Sequence, residues 1–142
     1  MPRPYLIAIC RGSSLDQSTN NMSLFGLVEQ VQAASVPSDV PLEFHLHYEF
    51  DEAERGRDYE VRALILERGS RQRWESGPVP IKSPTPRFRL SIHGFRLPAF
   101  GTFDVFAEVR EARLDGEWER SPFSWPLEIT KLVGPDDDSD GI

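Results

Sequence analysis

Two histidines separated by one residue are the strongest chemical signal in the sequence. His45 and His47 belong to a segment in which polar and apolar residues alternate. Residues i and i+2 of a β-strand point to the same side, so both imidazoles would share a face with Glu49. Imidazole nitrogens and a carboxylate are typical ligands of a transition metal. The spacing therefore predicts a candidate metal site made of His45, His47 and Glu49, which His93 would join only from a neighbouring strand.

The same three residues also suit an ordinary polar strand face, and this interpretation is favoured. Polar side chains on one side of an amphipathic strand normally face water and need no ligand. We therefore expect a solvated face and no cofactor, and the metal site is the alternative hypothesis.

Nucleophilic catalysis finds no support in the sequence. The single cysteine, Cys10, ends an apolar run that begins at Tyr5, where a thiol is normally inert. Neither a Gly-x-Ser-x-Gly sequence nor a glycine-rich phosphate loop occurs. A binding protein is therefore more expected than an enzyme.

Three aromatic residues near the C-terminal end are candidates for a partner-binding surface. Trp118, Phe123 and Trp125 lie around a segment that Pro126 favours at the edge of a sheet. Large aromatic side chains often anchor protein interfaces, although they can equally belong to the core. The expected partner is another protein, or a second copy of this chain.

Composition and charge argue against several classes of function. The chain has 142 residues, which is the size of one domain, and a net charge of −7. A sequence pI of about 5.0 argues against nucleic-acid binding, which requires a basic face. The apolar run from Tyr5 to Cys10 is too short for a signal peptide or a membrane span. One cysteine cannot form an internal disulfide, which agrees with a reducing compartment, so we expect a cytoplasmic protein. From the pI and the short apolar run we expect neither nucleic-acid nor membrane partners.

The elements that would position these residues are β-strands. Between Leu42 and Phe50 the residues change polarity at every step, which is typical of a half-buried antiparallel strand. Residues 24–34 are open to two interpretations, because the apolar residues from Leu24 to Val31 have helical spacing while Gly26 interrupts a helix. We choose a strand there and a loop at 13–21. The predicted strands occupy residues 5–10, 24–34, 42–50, 59–66, 74–77, 88–93, 102–110 and 123–129.

Seven or eight short strands without a long helix predict an all-β protein. Each sheet must bury one face, and the simplest solution is a second sheet packed against it. We therefore predict a single-domain antiparallel β-sandwich over residues 1–133. The Asp115-Gly116 pair predicts a hairpin turn within it. Residues 134–142 are rich in Asp, Gly and Ser, which predicts a disordered acidic tail.

One late segment carries a family resemblance. From Leu97 to Val105 the pattern is similar to the corner between two late strands of an immunoglobulin-like sandwich, with Gly101 for the close approach and Phe103 as the anchor. Residues 5–129 as a whole resemble a group of small, uncharacterised bacterial β-sandwich proteins. The shared features are the apolar opening strand, the segment from Leu24 to Pro37, and this corner. The resemblance implies an immunoglobulin-like fold and a bacterial protein, and no activity.

Two functional hypotheses follow from the sequence. The first is a non-enzymatic binding or assembly module that acts through an edge strand or loops. The second is a small metal-binding protein or metal-dependent enzyme that uses the His45 and His47 pair. The metal content of protein purified without a histidine tag separates the two.

Overall fold

The protein is all-β over the part of the chain that the structure describes. The computed structural model describes residues 1–113 and 116–133, and each regular element in these ranges is a strand. The strands are β1 (Arg3–Asp16), β2 (Asn21–Leu27), β3 (Gln30–Ala33), β4 (Ser38–Glu49), β5 (Tyr59–Glu67), β6 (Arg73–Glu75), β7 (Val79–Ile81), β8 (Arg87–Leu97), β9 (Gly101–Glu111), β10 (Glu119–Arg120) and β11 (Trp125–Lys131).

The strands form two sheets. Sheet A has the order β2-β1-β4-β8 and is antiparallel throughout. Sheet B has the order β3-β11-β9-β5-β6, with β10 beside β9 and β7 beside β5. The pair β3 and β11 is parallel, which corrects the prediction of a purely antiparallel protein. This two-layer arrangement is consistent with a β-sandwich.

The number of strands is higher than the predicted seven or eight. The additional strands are short pieces such as β7 and β10, which are three and two residues long. Such pieces are too short to show a period-two pattern in the sequence. In the ambiguous segment 24–34 the choice of strand over helix is confirmed, since β2 ends there and β3 follows.

The predicted loop at residues 13–21 is wrong. Strand β1 continues to Asp16 and β2 begins at Asn21, so only four residues form the turn of this β1–β2 hairpin. The carboxylate of Asp16 accepts hydrogen bonds from the backbone amides of Ser18 at 2.9 Å and Thr19 at 3.4 Å. Asn20 takes a positive φ of 59°, which asparagine tolerates better than most residues. Polar turn-forming side chains therefore close a tight hairpin here.

The core lies between the two sheets. Phe44, Leu46 and Tyr48 of β4 are all at most 2% exposed, which confirms the inward face predicted from their alternation. From sheet B, β5 and β9 contribute inward residues to the same cluster. Near one end, the ring of Phe50 meets that of Tyr59 edge to face at 5.7 Å, so aromatic contacts join the two layers.

The start of β9 combines a glycine in an unusual backbone conformation with a buried aromatic ring. Gly101 has a φ of 145°, a conformation that residues with a side chain rarely adopt. An added Cβ would lie 3.4 Å from the ring of Phe103, which is fully buried. Phe103 also meets Trp74 edge to face at 5.7 Å, and this contact fixes the start of β9 against β6.

Two expectations fall outside the described residues. Asp115 of the predicted Asp115-Gly116 turn is one, and the acidic tail at 134–142 is the other. Within the described ranges, the protein has no helix of the length and apolarity needed to cross a membrane.

Tyr48 supplies a test of this core. Its hydroxyl is buried and has no hydrogen-bond partner among the described residues, and burial raises its pKa. A buried hydroxyl without a partner costs about 1–3 kcal/mol. We expect Tyr48→Phe to keep or raise the free energy of unfolding, by about 1 kcal/mol. Tyr48→Leu, which removes ring volume, should lower it by about 2 kcal/mol. Urea unfolding followed by tryptophan fluorescence measures both, and a loss in Tyr48→Phe would contradict the prediction.

Candidate functional site

The histidine pair lies on the outer face of sheet A, on the central strand β4. His45 is fully buried and His47 is only 5% exposed, so the prediction of a solvated face is wrong for both. Part of the cover comes from the flanking strands, since Ala8 of β1 and Ser91 of β8 stand on either side of His45. A polar face without water must find its hydrogen bonds inside the protein.

The β1–β2 hairpin covers this face. Ser13, beyond the part of β1 that pairs with β4, donates a hydrogen bond to the Glu43 carboxylate at 2.7 Å. Leu24 is the cross-strand neighbour of Ser13, so it lies on the same side of the hairpin. At the turn, residues 19–21 line one shallow cavity together with Arg87 and Arg89 of β8. These contacts place the hairpin back across the outer face of sheet A.

Beneath the hairpin, three metal-ligating side chains come together. The Sγ atom of Cys10, a carboxylate oxygen of Glu43 and a ring nitrogen of His45 all lie within 4.8 Å of one another. His45 Nε2 is 2.9 Å from Glu43 Oε1, and His45 Nδ1 is 2.9 Å from the Ser91 hydroxyl. We call Cys10, Glu43 and His45 the buried triad.

The electrostatics of the buried triad follow from its hydrogen bonds and its burial. The hydrogen bond from Ser13, followed by the contact with His45, lowers the pKa of Glu43. Burial, followed by the charge of Glu43, raises the pKa of the Cys10 thiol, which donates to the Gly12 carbonyl at 3.3 Å. At neutral pH the triad therefore holds one carboxylate and a protonated thiol.

The predicted set of His45, His47 and Glu49 is not brought together. Glu49 lies four residues from His45, about 13 Å along a strand, and forms an ion pair with Arg3 at 3.1 Å. The ring of His47 packs edge to face against Tyr5 at 5.7 Å, and its Nε2 has no partner among the described residues. Of the three, only His45 belongs to the triad.

His93 lies on a strand next to the histidine pair, which was the condition for its role as a further ligand. Strand β8 is the neighbour of β4, and His93 stands directly opposite Glu43. Its Nδ1 lies 3.9 Å from Glu43 Oε2, while the side chain is 73% exposed. His93 therefore lies at the solvent side of the triad.

Cys10 and Glu43 were missed as site residues. Cys10 ends an apolar run, and such a run conceals which residues face the core and which face the other way. Glu43 reads as one more polar residue of an alternating strand. The available signal was that Cys10 continues the alternation of Ala8 away from the core residues Ile7 and Ile9.

The three aromatic residues predicted as a contact surface have different environments. The guanidinium groups of Arg62 and Arg110 stack on the ring of Trp118, at 4.2 and 4.3 Å from its centre. Trp125 packs against the core, and its indole N–H donates to the Val28 carbonyl at 2.8 Å. Phe123 alone is strongly exposed, at 38%. The three rings therefore differ in their partners and in their exposure.

The edges formed by β8, β3 and β6 are protected by charge or by short strand length. Strand β8 has no strand on its outer side among the described residues, and it carries Arg87, Arg89 and Arg96. In sheet B, the terminal strands β3 and β6 are only four and three residues long. Charges and short length are the usual protection of an edge against pairing with another chain.

Strand β2 lacks both kinds of protection. It is seven residues long, none of them charged, and it is the terminal strand of sheet A in the described part of the chain. Phe25 and Leu27 are 54% and 56% exposed, and Leu15 on the paired strand is also exposed. An uncharged edge with exposed apolar side chains is suited to pairing with a strand from another molecule.

An apolar cleft of about 740 Å³ opens between β8 of sheet A and β6 of sheet B. The charged residues at its rim already have partners, since Arg96 pairs with Asp39 at 3.4 Å and Glu75 pairs with Arg73. Ligand sites normally add a few free polar groups that orient the ligand. The cleft therefore supports a function less well than the β2 edge. Its apolar lining includes Phe44, Ala63, Ile65, Trp74, Ile92 and Phe95.

Comparison with known proteins assigns no family to the chain. No protein-family model matches the sequence, and no curated protein matches it either. The functional argument therefore depends on the geometry and chemistry of the residues described above.

The burial of His47 predicts a pH-dependent stability. Burial, followed by the charges of Arg89 and His45, lowers the pKa of His47 from 6.5 to about 4. In the unfolded chain this histidine binds a proton near pH 6.5, whereas the folded protein resists protonation, so stability falls as the pH drops from 6.5 towards 4. Between pH 7 and pH 5 we expect this group to remove about 2 kcal/mol.

The measurement compares wild type with His47→Gln. Urea unfolding at pH 7 and pH 5, in buffer with EDTA, gives the loss of stability for each protein. The ionisable groups that both share contribute equally, so the wild type should lose about 2 kcal/mol more than the variant. Equal losses would show that His47 titrates alike in the folded and unfolded states.

Proposed function

We propose that the protein is a non-enzymatic binding and assembly module that pairs the free edge of β2 with an extended strand of another polypeptide. The observation that carries this proposal is the absence of charge along β2, the terminal strand of sheet A in the described residues. Along an added strand the backbone amides and carbonyls would supply affinity, and exposed side chains would supply selectivity.

The chemistry of β2 defines the partner. Phe25 and Leu27 would lie beside the side chains of an added strand, so an uncharged segment fits best. A segment rich in Asp or Glu would lose solvation there without gaining an opposite charge. The β2 segment of a second copy has this composition itself, so we infer that the assembly formed is a homodimer.

Antiparallel pairing of two β2 strands would satisfy the symmetry of a dimer. With Leu24 at the two-fold axis, Phe25 of one copy stands opposite Ser23 of the other, and Leu27 stands opposite Asn21. Phe25 and Leu27 then each have a small or polar neighbour, Leu24 faces the same residue of the other copy, and no like charges are opposed. Strand pairing alone buries less area than a stable interface, so we expect a weak, concentration-dependent dimer.

The fold and location belong to the same proposal. We infer an immunoglobulin-like sandwich of the small bacterial kind, supported by the corner formed by Gly101 and Phe103. We infer a cytoplasmic protein, supported by the single cysteine at position 10, which has no second cysteine to pair with in this sequence.

Light scattering over a range of concentrations tests the proposal. The mass of wild type should rise from 16.2 kDa towards twice that value as concentration increases. Phe25→Lys and Leu27→Lys place a positive charge on each copy at the pairing edge, so both should weaken association by about 10-fold or more.

Phe123→Lys is the matched control. Phe123 is also an exposed aromatic residue, but it lies outside β2. Its variant should associate like wild type under the proposal. A wild type that stays monomeric throughout, or association lost only in Phe123→Lys, would overturn the assignment of the β2 edge.

A further inference from the structure

The geometry points to a zinc-class divalent cation site formed by the buried triad of Cys10, Glu43 and His45, with His93 as the fourth ligand. The four residues supply one sulfur, one oxygen and two nitrogens, a donor set that Zn²⁺ and Co²⁺ bind well. This site shares no residue with the β2 edge, and of the predicted set of His45, His47 and Glu49 it uses only His45.

The sheet itself positions the four ligands. Cys10 on β1, Glu43 on β4 and His93 on β8 stand side by side in register, and His45 follows Glu43 on the same face. Tetrahedral Zn²⁺ with bonds of about 2.0–2.3 Å needs ligand atoms roughly 3.3–3.7 Å apart. The triad atoms lie within 4.8 Å of one another, so small side-chain movements would bring them to a cation, whereas the exposed His93, whose Nδ1 lies 3.9 Å from Glu43 Oε2, would turn towards it.

Two serines form hydrogen bonds with the ligand residues Glu43 and His45. Ser13 donates to Glu43 Oε1 at 2.7 Å, and Ser91 Oγ lies 2.9 Å from His45 Nδ1. A metal-ligating histidine normally donates its other ring N–H to such a neighbour, which fixes the tautomer. A serine hydroxyl both donates and accepts, so Ser91 can support His45 with and without a cation.

Cation binding has a simple proton balance. The Cys10 thiol loses one proton to solvent as the S–metal bond forms. His45 keeps its single N–H proton, which moves from Nε2 beside Glu43 to Nδ1, where it is donated to the Ser91 hydroxyl, and the freed Nε2 lone pair binds the cation. Two negative charges, from Cys10 and Glu43, then neutralise the divalent cation in the buried site.

Burial favours a cation over a catalytic role for the cysteine. Cys10 is fully buried under the β1–β2 hairpin, so an organic substrate cannot reach its sulfur. A cation is small, and His93 at the exposed side provides an approach from solvent. Metal ligation also explains why hydrogen-bonded polar groups replace an apolar filling on this face.

Cobalt substitution tests the site directly. The full chain without a histidine tag is treated with EDTA, dialysed and titrated with Co²⁺, followed by Zn²⁺. We expect one equivalent of Co²⁺ to produce a near-ultraviolet cobalt–thiolate band and one equivalent of Zn²⁺ to abolish it. Weak binding of Co²⁺ by the aspartates at 136–140 gives no thiolate band, so it does not interfere.

Variants assign the individual ligands. Cys10→Ser should lose the band and weaken Zn²⁺ binding by more than about 100-fold, and Ser91→Ala by about 10-fold, as expected of a supporting group. His93→Gln should weaken Zn²⁺ binding by at least about 10-fold. His47→Gln and Glu49→Gln are matched controls that should bind like wild type.

Two results would overturn the assignment. One is folded wild type without a cobalt–thiolate band, which stays decisive even where Cys10→Ser fails to fold. The other is Zn²⁺ affinity that falls in His47→Gln and Glu49→Gln while Cys10→Ser binds normally.

Discussion

The structure depends on the burial of β4 on both faces. Its inner face, with Phe44 and Leu46, packs in the core between the sheets, and its outer face lies beneath the β1–β2 hairpin. Apolar side chains pack on the inner face, whereas the outer face carries Glu43 and His45, which are shielded from solvent. Each must therefore find a protein partner, since a buried polar group without a hydrogen bond is destabilising. Ser13 and Ser91, together with the contact between Glu43 and His45, fulfil this requirement.

The same covering hairpin creates the exposed edge. Because β1 leaves β4 and folds back, β2 pairs only with β1 and keeps its other side unpaired in the described part of the chain. The two proposed sites thus share one element, with Cys10 at the point where β1 leaves β4 and Phe25 on the far strand. A cation bound at Cys10 would fix the base of the hairpin that presents β2.

The sequence predicted the inward face of β4 well and its outward face poorly. Alternation reports which residues share a side of a strand, so Phe44 and Leu46 could be placed in the core from the pattern alone. What covers the other side is decided by tertiary contacts that a local pattern does not contain. The hairpin was missed because its residues from Ser13 to Asn21 have turn-like composition, and their strand pairing is fixed by partners rather than by propensity.

Residue type also proved a weaker guide to exposed surface than strand order. Tryptophan is among the residue types most enriched at interfaces, yet two arginine guanidinium groups stack on the ring of Trp118 and a backbone hydrogen bond holds Trp125. Phe25 and Leu27 carry no such signal, but their strand ends a sheet, so no neighbouring strand covers them in the described residues. Large aromatic rings are the easiest to cover, because they offer area and polar atoms to their own chain. Apolar residues on an uncharged terminal strand have only an external partner to pack against, and this is why the β2 edge carries the functional proposal.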